Sequence, residues 1–482
     1  MNRFQKLHQQ IYQKGELFGL DNKRPTNFFK KSGRRLNSVA IIGGVLGDEG
    51  KGRVADELAA MFLKKHSKLV HYRDNGGANA GHTVKFNNTK IVLHQIGASI
   101  LQKNATVVLG KEMVIHPEDL VTEIKMVHKI LKTKTLPAKL KIDEMTFLCL
   151  DTHRAFEVVL RMKSTGSKGS TGRGISPAYA DVIYRHPLRM RDLMSRTWKD
   201  KLKKHYELYR QLAKGFGYEL KQIEVARLEG ENIKLGSLKE MTSRLEKARK
   251  ILRPFVQPVN EFLQKTWDSE VPLIIEKAQA LGLDKRWGVY PDVTASNCDF
   301  DGIFSSSEGI IDHRKLAVRA ATIKATYTSS VGSRQLPTVM EEKLAHRIRE
   351  DANEYGATTG RPRDIAYIDL PMLSFLFKVS GTEQLTITHL DISYSEVPIK
   401  VCVAYLKNGK EVGYRPDQEY LNGIKPVYIE VPAWDGEGVK KARKLKDLPK
   451  EALQYIAFIS QTLKAEPFII TTGASREQTI VC

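Results

Sequence analysis

The chain has 482 residues, 41% of them hydrophobic, with a mean hydropathy of −0.35. That is enough to bury a large core, and no apolar run approaches the roughly 18 residues that a membrane crossing needs. Lys and Arg exceed Asp and Glu by 22, giving a pI near 9.6, which suits anionic partners and allows nonspecific attraction to nucleic acid. Cys149, Cys298, Cys402 and Cys482 form no CxxC pair, which argues against a disulfide framework or zinc site and favours a reducing, cytoplasmic setting.

In chain order, residues 1–37 carry nine Lys/Arg against Glu16 and Asp21. This arm has no apolar h-region, so it is no secretory signal, and it reads as a flexible solvated extension. Residues 38–42 read as a buried strand, followed by Gly47-Asp48-Glu49-Gly50-Lys51-Gly52-Arg53 and a helix from about Gly52 to Lys65. Three glycines and a lysine suit a phosphate cradle. A carboxylate among phosphates makes sense where it holds Mg²⁺ or takes a proton, so Asp48 points to phosphoryl transfer coupled to base chemistry.

Residues 69–73 read as the next strand, ending in the glycine-rich turn Asn75–His82. Strand, glycine loop, helix and strand make an α/β unit, with its site beyond the carboxyl ends of the strands. The expected fold is one large α/β domain over residues 38–482 with a mostly parallel central sheet. Residues 189–277 turn to charged amphipathic helix, with stripes at Leu202, Leu208, Tyr209 and Leu212 and at Leu245, Ala248, Ile251 and Leu252. Strands return at 385–387, 399–405 and 468–471. Hydroxyl–glycine–arginine turns at 169–179 and 357–363 suit further anions, and Thr471-Thr472-Gly473 follows a strand and could border a base.

Taken in order, these segments resemble the adenylosuccinate synthetase family. GDEGKG stands at 47–52, NAGHT at 79–83, STGRGISPAY at 170–179, YPDVTASN at 290–297, GATTGR at 356–361, LD at 390–391 and TTG at 471–473. The resemblance implies ligation of aspartate to IMP, driven by GTP with Mg²⁺, through a 6-phosphoryl intermediate. It makes Asp48 the base and a metal ligand together with the Gly81 carbonyl. His82 and Gln279 become its catalytic companions. Gly47, Glu49, Gly50, Lys51, Gly52, Thr83, Arg363, His389, Asp391, Thr471 and Gly473 match the donor site. Asn79, Thr171, Arg185, Gln279, Thr294 and Arg361 match contacts to the acceptor nucleotide, and Thr359, Arg361 and Arg363 match the loop that grips aspartate. Arg185, fourteen residues after Thr171, matches an arginine that reaches the neighbouring subunit's nucleotide, which implies a homodimer.

Several positions depart from the family pattern. Val45-Leu46 replaces QW, Ala78 replaces a histidine, Lys277 and Ala280 replace glycines, His389 replaces a lysine, Pro362 interrupts an arginine run, and Ala474 replaces a proline. Three of these changes flank the expected GTP pocket or its phosphates. Two alternatives therefore stand beside the IMP reading. One is 2-aminoadenylosuccinate synthesis from dGMP with ATP, dATP or GTP. The other is a noncatalytic nucleotide- or nucleic-acid-binding relative.

Overall fold

The computed structural model describes residues 2–21, 27–30, 32–86, 89–163, 171–330, 334–356, 360 and 362–482. The chain packs as two compact units, the first from Met1–Val54, Gln279–Val293 and Lys315–Cys482, the second from Ala55–Ala278 and Thr294–Arg314.

The first unit holds the strands Arg35–Gly43, Leu316–Lys324, Gln384–Thr388 and Glu466–Thr471 side by side and parallel, with Thr479–Val481 antiparallel at the edge. Their residues are almost all buried, as expected of parallel strands covered on both faces. A second sheet in this unit pairs Tyr327–Ser330, Asp364–Asp369, Ile399–Lys407, Lys410–Val412 and Lys425–Val431.

The second unit orders Val256–Gln257, Lys139–Asp143, Ala105–Leu109, Leu69–Arg73 and Leu273–Glu276, every neighbouring pair parallel. The strand read over 69–73 from its apolar run has those bounds, and the helix after the glycine loop spans Lys51–Leu63. The α/β class expected from the strand–loop–helix pattern holds in both units, and the central-sheet strands of each pair mostly in parallel, while the second sheet of the first unit is mostly antiparallel. Between residues 189 and 277 lie the helices Met190–Met194, Trp198–Gly215, Leu238–Leu252 and Asn260–Asp268. Leu202, Tyr209, Leu245, Ala248 and Leu252 turn inward, while Leu212 and Ile251 remain exposed.

The flexible arm expected at the N-terminus is not what its described residues form. Asn2 and Gln5 close a capping box at the start of the helix Arg3–His8, which continues as a wider turn through Gln9–Gln13. Asn2 Nδ2 donates to the Val403 carbonyl at 3.2 Å and Arg3 Nη2 to that of Thr462 at 2.6 Å, while Gln454 Nε2 donates to Ile11 O at 3.1 Å. The rings of His8 and Tyr12 meet Phe458 edge-on, and Ile11, Leu20 and Phe28 are buried. Single apolar residues spaced among cations carry no helical period, so the sequence concealed this docking.

Deleting residues 1–21 should uncover the helix Lys450–Leu463. Losing burial of Ile11 and Leu20 alone is worth about 3 kcal/mol or more. The shortened chain is expected to melt several degrees lower and to bind a hydrophobic dye. An unchanged melting curve would show that the segment contributes nothing.

Candidate functional site

In the first unit, the strand Arg35–Gly43 ends where a side chain could not pass. A Cβ on Gly43 would lie 2.6 Å from the Gln279 carbonyl and from Ala280. The turn beyond it reverses sharply, with Gly47, Asp48 and Gly50 all at positive φ, Asp48 at 57°. Among non-glycine residues, Asp and Asn tolerate this region best, so the loop can carry a carboxylate at its tip. Glu49 builds the loop from inside. Its Oε1 accepts from the amides of Val45 at 3.1 Å and Gly47 at 2.7 Å, and its Oε2 accepts from Lys51 Nζ at 3.0 Å. Expected on the donor, the Glu49 side chain is instead a buried brace. Thr388 Oγ1 ties the loop down by donating to Glu49 O at 2.8 Å.

Asp48 does not stand alone. Arg363 Nη2 lies 2.5 Å from its Oδ2, and Arg363 Nη1 donates to Glu354 Oε2 at 2.6 Å. Glu354 Oε1 in turn accepts from Lys324 Nζ at 2.5 Å and from the Tyr327 hydroxyl at 2.7 Å. Burial alone would raise the Glu354 carboxyl, but Lys324, His389 and Arg363 hold it well below the usual range. A depressed folded pKa adds stability above the ordinary value of 4.5 and loses it as pH falls below that value. The urea midpoint should therefore drop between pH about 7 and about 3.5, and by less in Glu354→Gln. Equal drops in both proteins would show the carboxylate to be idle.

The expected base-binding residues sit close by in the same unit. His389, at φ 56°, is pushed down to about 4 by burial, with Lys324 adding to the effect, so the ring is neutral at pH 7. The His389 amide donates to Thr471 Oγ1 at 3.3 Å, and the Leu390 amide to Thr471 O at 3.0 Å, which aligns the 389–391 turn with the 471–473 turn. Asp391 is half-buried, and burial raises its carboxyl above the ordinary value. Arg53 Nη2 donates to Ser475 O at 2.7 Å and supports the segment after Gly473. Gln279 is half-buried at φ 58°. Thr359 and Arg361 lie outside the described residues.

In the second unit, Asn75 organises the glycine turn. Its Oδ1 accepts from the Ala278 amide at 2.8 Å, and its Nδ2 donates to Asn297 O at 2.8 Å and Ser296 Oγ at 3.2 Å. The turn that carries Asn79, Gly81 and His82 is thereby fixed to the segment that carries Thr294. Asn79 Oδ1 accepts from Gly77 N at 3.3 Å, and the side chain of Thr83 is not among those described. His82 is buried, and its Nδ1 is hydrogen-bonded to Glu276. Burial would raise the Glu276 carboxyl, yet His82 and His71 hold it well below the usual range. Thr171 is exposed next to the buried Arg173. Arg185 caps the helix Ile175–Tyr184 at φ 65° and is exposed beside Ile183 and Tyr184, which are 78% and 72% exposed.

Two buried polar clusters of the second unit were not foreseen from the sequence. Lys277, in place of a family glycine, is fully buried with Nζ 2.5 Å from Asp74 Oδ2. His153, Asp181 and His205 have metal-like spacing, but hydrogen bonds already engage all three. The Leu150 amide donates to His153 Nδ1 at 2.8 Å, so His153 carries its proton on Nε2 and donates it to Asp181 at 2.9 Å. Asp181 also accepts from Tyr209 at 2.8 Å, and His205 Nε2 pairs with Thr152 at 2.7 Å. This is a closed hydrogen-bond network. Glu354, Lys324, Glu276 and His71 had no local signal beyond lying in or near the recognised motifs.

A sequence profile described as adenylosuccinate synthetase matches residues 40–480. The adenylosuccinate synthetase of an Exiguobacterium species is 33% identical over 449 residues, covering 92% of this chain and 98% of that protein. That of Acetivibrio thermocellus is 34% identical over 445 residues, with the same coverage. A solved structure of fully ligated adenylosuccinate synthetase from Plasmodium falciparum superposes with a TM-score of 0.81 at 28% identity, covering 92% of this chain and all of that one. The succinoaminodeoxyadenylate synthetase of cyanophage S-2L, solved with dGMP and dATP, shares the fold at a TM-score of 0.55 and 16% identity, covering 92% of this chain and 95% of that one.

Proposed function

The chain belongs to the adenylosuccinate synthetase family of C–N bond-forming ligases, and from that premise we propose that it joins L-aspartate to C6 of IMP at the expense of GTP. The observation that carries this reading is Asp48, a carboxylate lifted on a glycine loop next to Lys51 and held by an arginine. Asp48 removes the N1 proton of IMP, which makes O6 nucleophilic. O6 attacks the γ-phosphorus, giving GDP and a 6-phosphoryl nucleotide. The aspartate amine then adds at C6, and phosphate leaves with the C–O bond. Lys51 and the loop amides hold donor phosphates, and His82 steadies the phosphoryl group in flight.

Arg363 occupies the Asp48 oxygen that would accept the proton, with Nη2 2.5 Å from Oδ2. Arg363 must therefore release Asp48 before the proton can move, and its natural new partners are the anionic groups of donor or aspartate. Glu354 keeps the arginine anchored while it swings. Asp48 and the Gly81 carbonyl offer only oxygen donors, which suits Mg²⁺, and the ion would offset phosphate charge. Asn79, Thr171, Gln279 and Thr294 take the acceptor, the Thr359–Arg363 loop takes aspartate, and His389, Asp391, Thr471 and Gly473 border the donor base. The exposed helix end at Ile183–Arg185 suits a subunit contact, with Arg185 serving the partner subunit's acceptor in a homodimer. Four buried free thiols fit a cytoplasmic setting.

A substrate matrix tests the reading. IMP, dIMP, GMP and dGMP are offered against GTP, ATP and dATP with Mg²⁺ and aspartate, and succinylated product is read by mass spectrometry. Product from IMP with GTP is expected. Product mainly from dGMP overturns the acceptor, product from IMP with ATP alone overturns the donor, and no product at all overturns the ligase reading.

A further inference from the structure

Behind His82, the second unit buries three polar side chains to which the reaction above gives no part. Glu276, fully buried at the end of the strand Leu273–Glu276, is bonded through Oε1 to His82 Nδ1. Its Oε2 lies 3.0 Å from His71 Nε2, and His71 Nδ1 lies 2.7 Å from Ser99 Oγ. His71 and Ser99 are both inaccessible to solvent.

The proton assignments follow from charge and polarity. A proton on both nitrogens of each ring would set two cations against one carboxylate in a dry interior. A neutral His71 protonated only at Nδ1 would aim a lone pair at the Glu276 oxygen. With Ser99 donating its hydroxyl proton to His71 Nδ1, a neutral His71 carries its own proton on Nε2, 3.0 Å from Glu276 Oε2. Glu276 in turn accepts the Nδ1–H of His82, which leaves Nε2 as the nitrogen addressing substrate.

We propose that Glu276, supported from behind by His71 and Ser99, is a positioning residue that fixes the ring and tautomer of His82 for the phosphoryl step. The proposal rests on the role given to His82 above. Glu276→Gln and His71→Leu are expected to lower kcat by about tenfold or more, with KM for IMP and GTP within about twofold of wild type. His71→Gln keeps a donor for Glu276 and an acceptor for Ser99, and it should recover most of the lost rate.

In histidine-labelled protein, long-range proton–nitrogen spectra should report His82 as the Nδ1–H form, identified by its absence in His82→Asn. Wild-type kcat in folded Glu276→Gln, a change confined to KM, or His82 found as the Nε2–H form overturns the proposal. If Glu276→Gln does not fold, the pair His71→Leu and His71→Gln decides it, and equal rates in the two count against it. Wild-type kcat in His82→Asn instead overturns the role of His82, and the spectrum still reports on its contact with Glu276.

Discussion

Asp48→Asn is expected to lower kcat by roughly 10³-fold or more while the protein melts where the wild type does. General-base catalysis contributes about 10²–10⁴-fold, and in the proposed reaction the base starts the whole sequence, since O6 is a poor nucleophile until N1 loses its proton. Asparagine suits the test because it tolerates the left-handed backbone at φ 57° and nearly copies the shape of the carboxylate. The fold should be indifferent to the change. The Asp48 side chain is 28% exposed, and Arg363 keeps its second partner, Glu354. Steady-state rates with saturating substrates, set beside a thermal melt, separate the two effects. A folded Asp48→Asn protein that turns over within a few-fold of wild type would remove Asp48 from the chemistry.

Lys277→Met is expected to cost about 3–5 kcal/mol at neutral pH, because it strands Asp74 as a buried charge. Neither partner reaches water, at 0% and 1% exposure. Gly302 makes room for the ammonium, since a Cβ there would come within 2.7 Å of Lys277 Nζ. The double change Asp74→Asn with Lys277→Met should restore most of the loss.

The pH dependence has a definite sign. Burial already raises the Asp74 carboxyl above 3.8 with its partner present, and removing Lys277 raises it further. The folded single variant then holds a proton that the unfolded chain has lost, so the penalty should shrink as pH falls towards 4. Urea titrations at several pH values measure this. A neutral or stabilising effect of Lys277→Met at pH 7 would show that the ion pair contributes nothing to the fold.

How much of this was legible in the sequence depended on distance along the chain. The strand at 69–73 and the helix after the glycine loop follow from apolar runs and periodicity, which are local. The loop itself announced Asp48 and Lys51 through composition. Partners were another matter. Nothing near residue 48 signals that Arg363 will hold its carboxylate, and nothing near residue 82 points to Glu276 or His71, because such pairs are set by sheet order. Glu49 shows the same limit at short range. Its place in a phosphate-type loop suggested a ligand, while the structure folds its carboxylate inward onto the loop's own amides and lysine. Charge misled at the N-terminus, where nine cations masked the few apolar anchors.

That N-terminal segment also sets a timetable. Its hydrogen-bond partners lie 401, 459 and 443 residues further along the chain, so this segment must wait for residues made some 400 positions later before it can dock. Synthesis at about 5–20 residues per second makes that wait tens of seconds. A chain that stops early, anywhere before the helix Lys450–Leu463, leaves its leading end undocked and open to proteases. Docking of the segment therefore waits for Val403, Gln454 and Thr462 to be made.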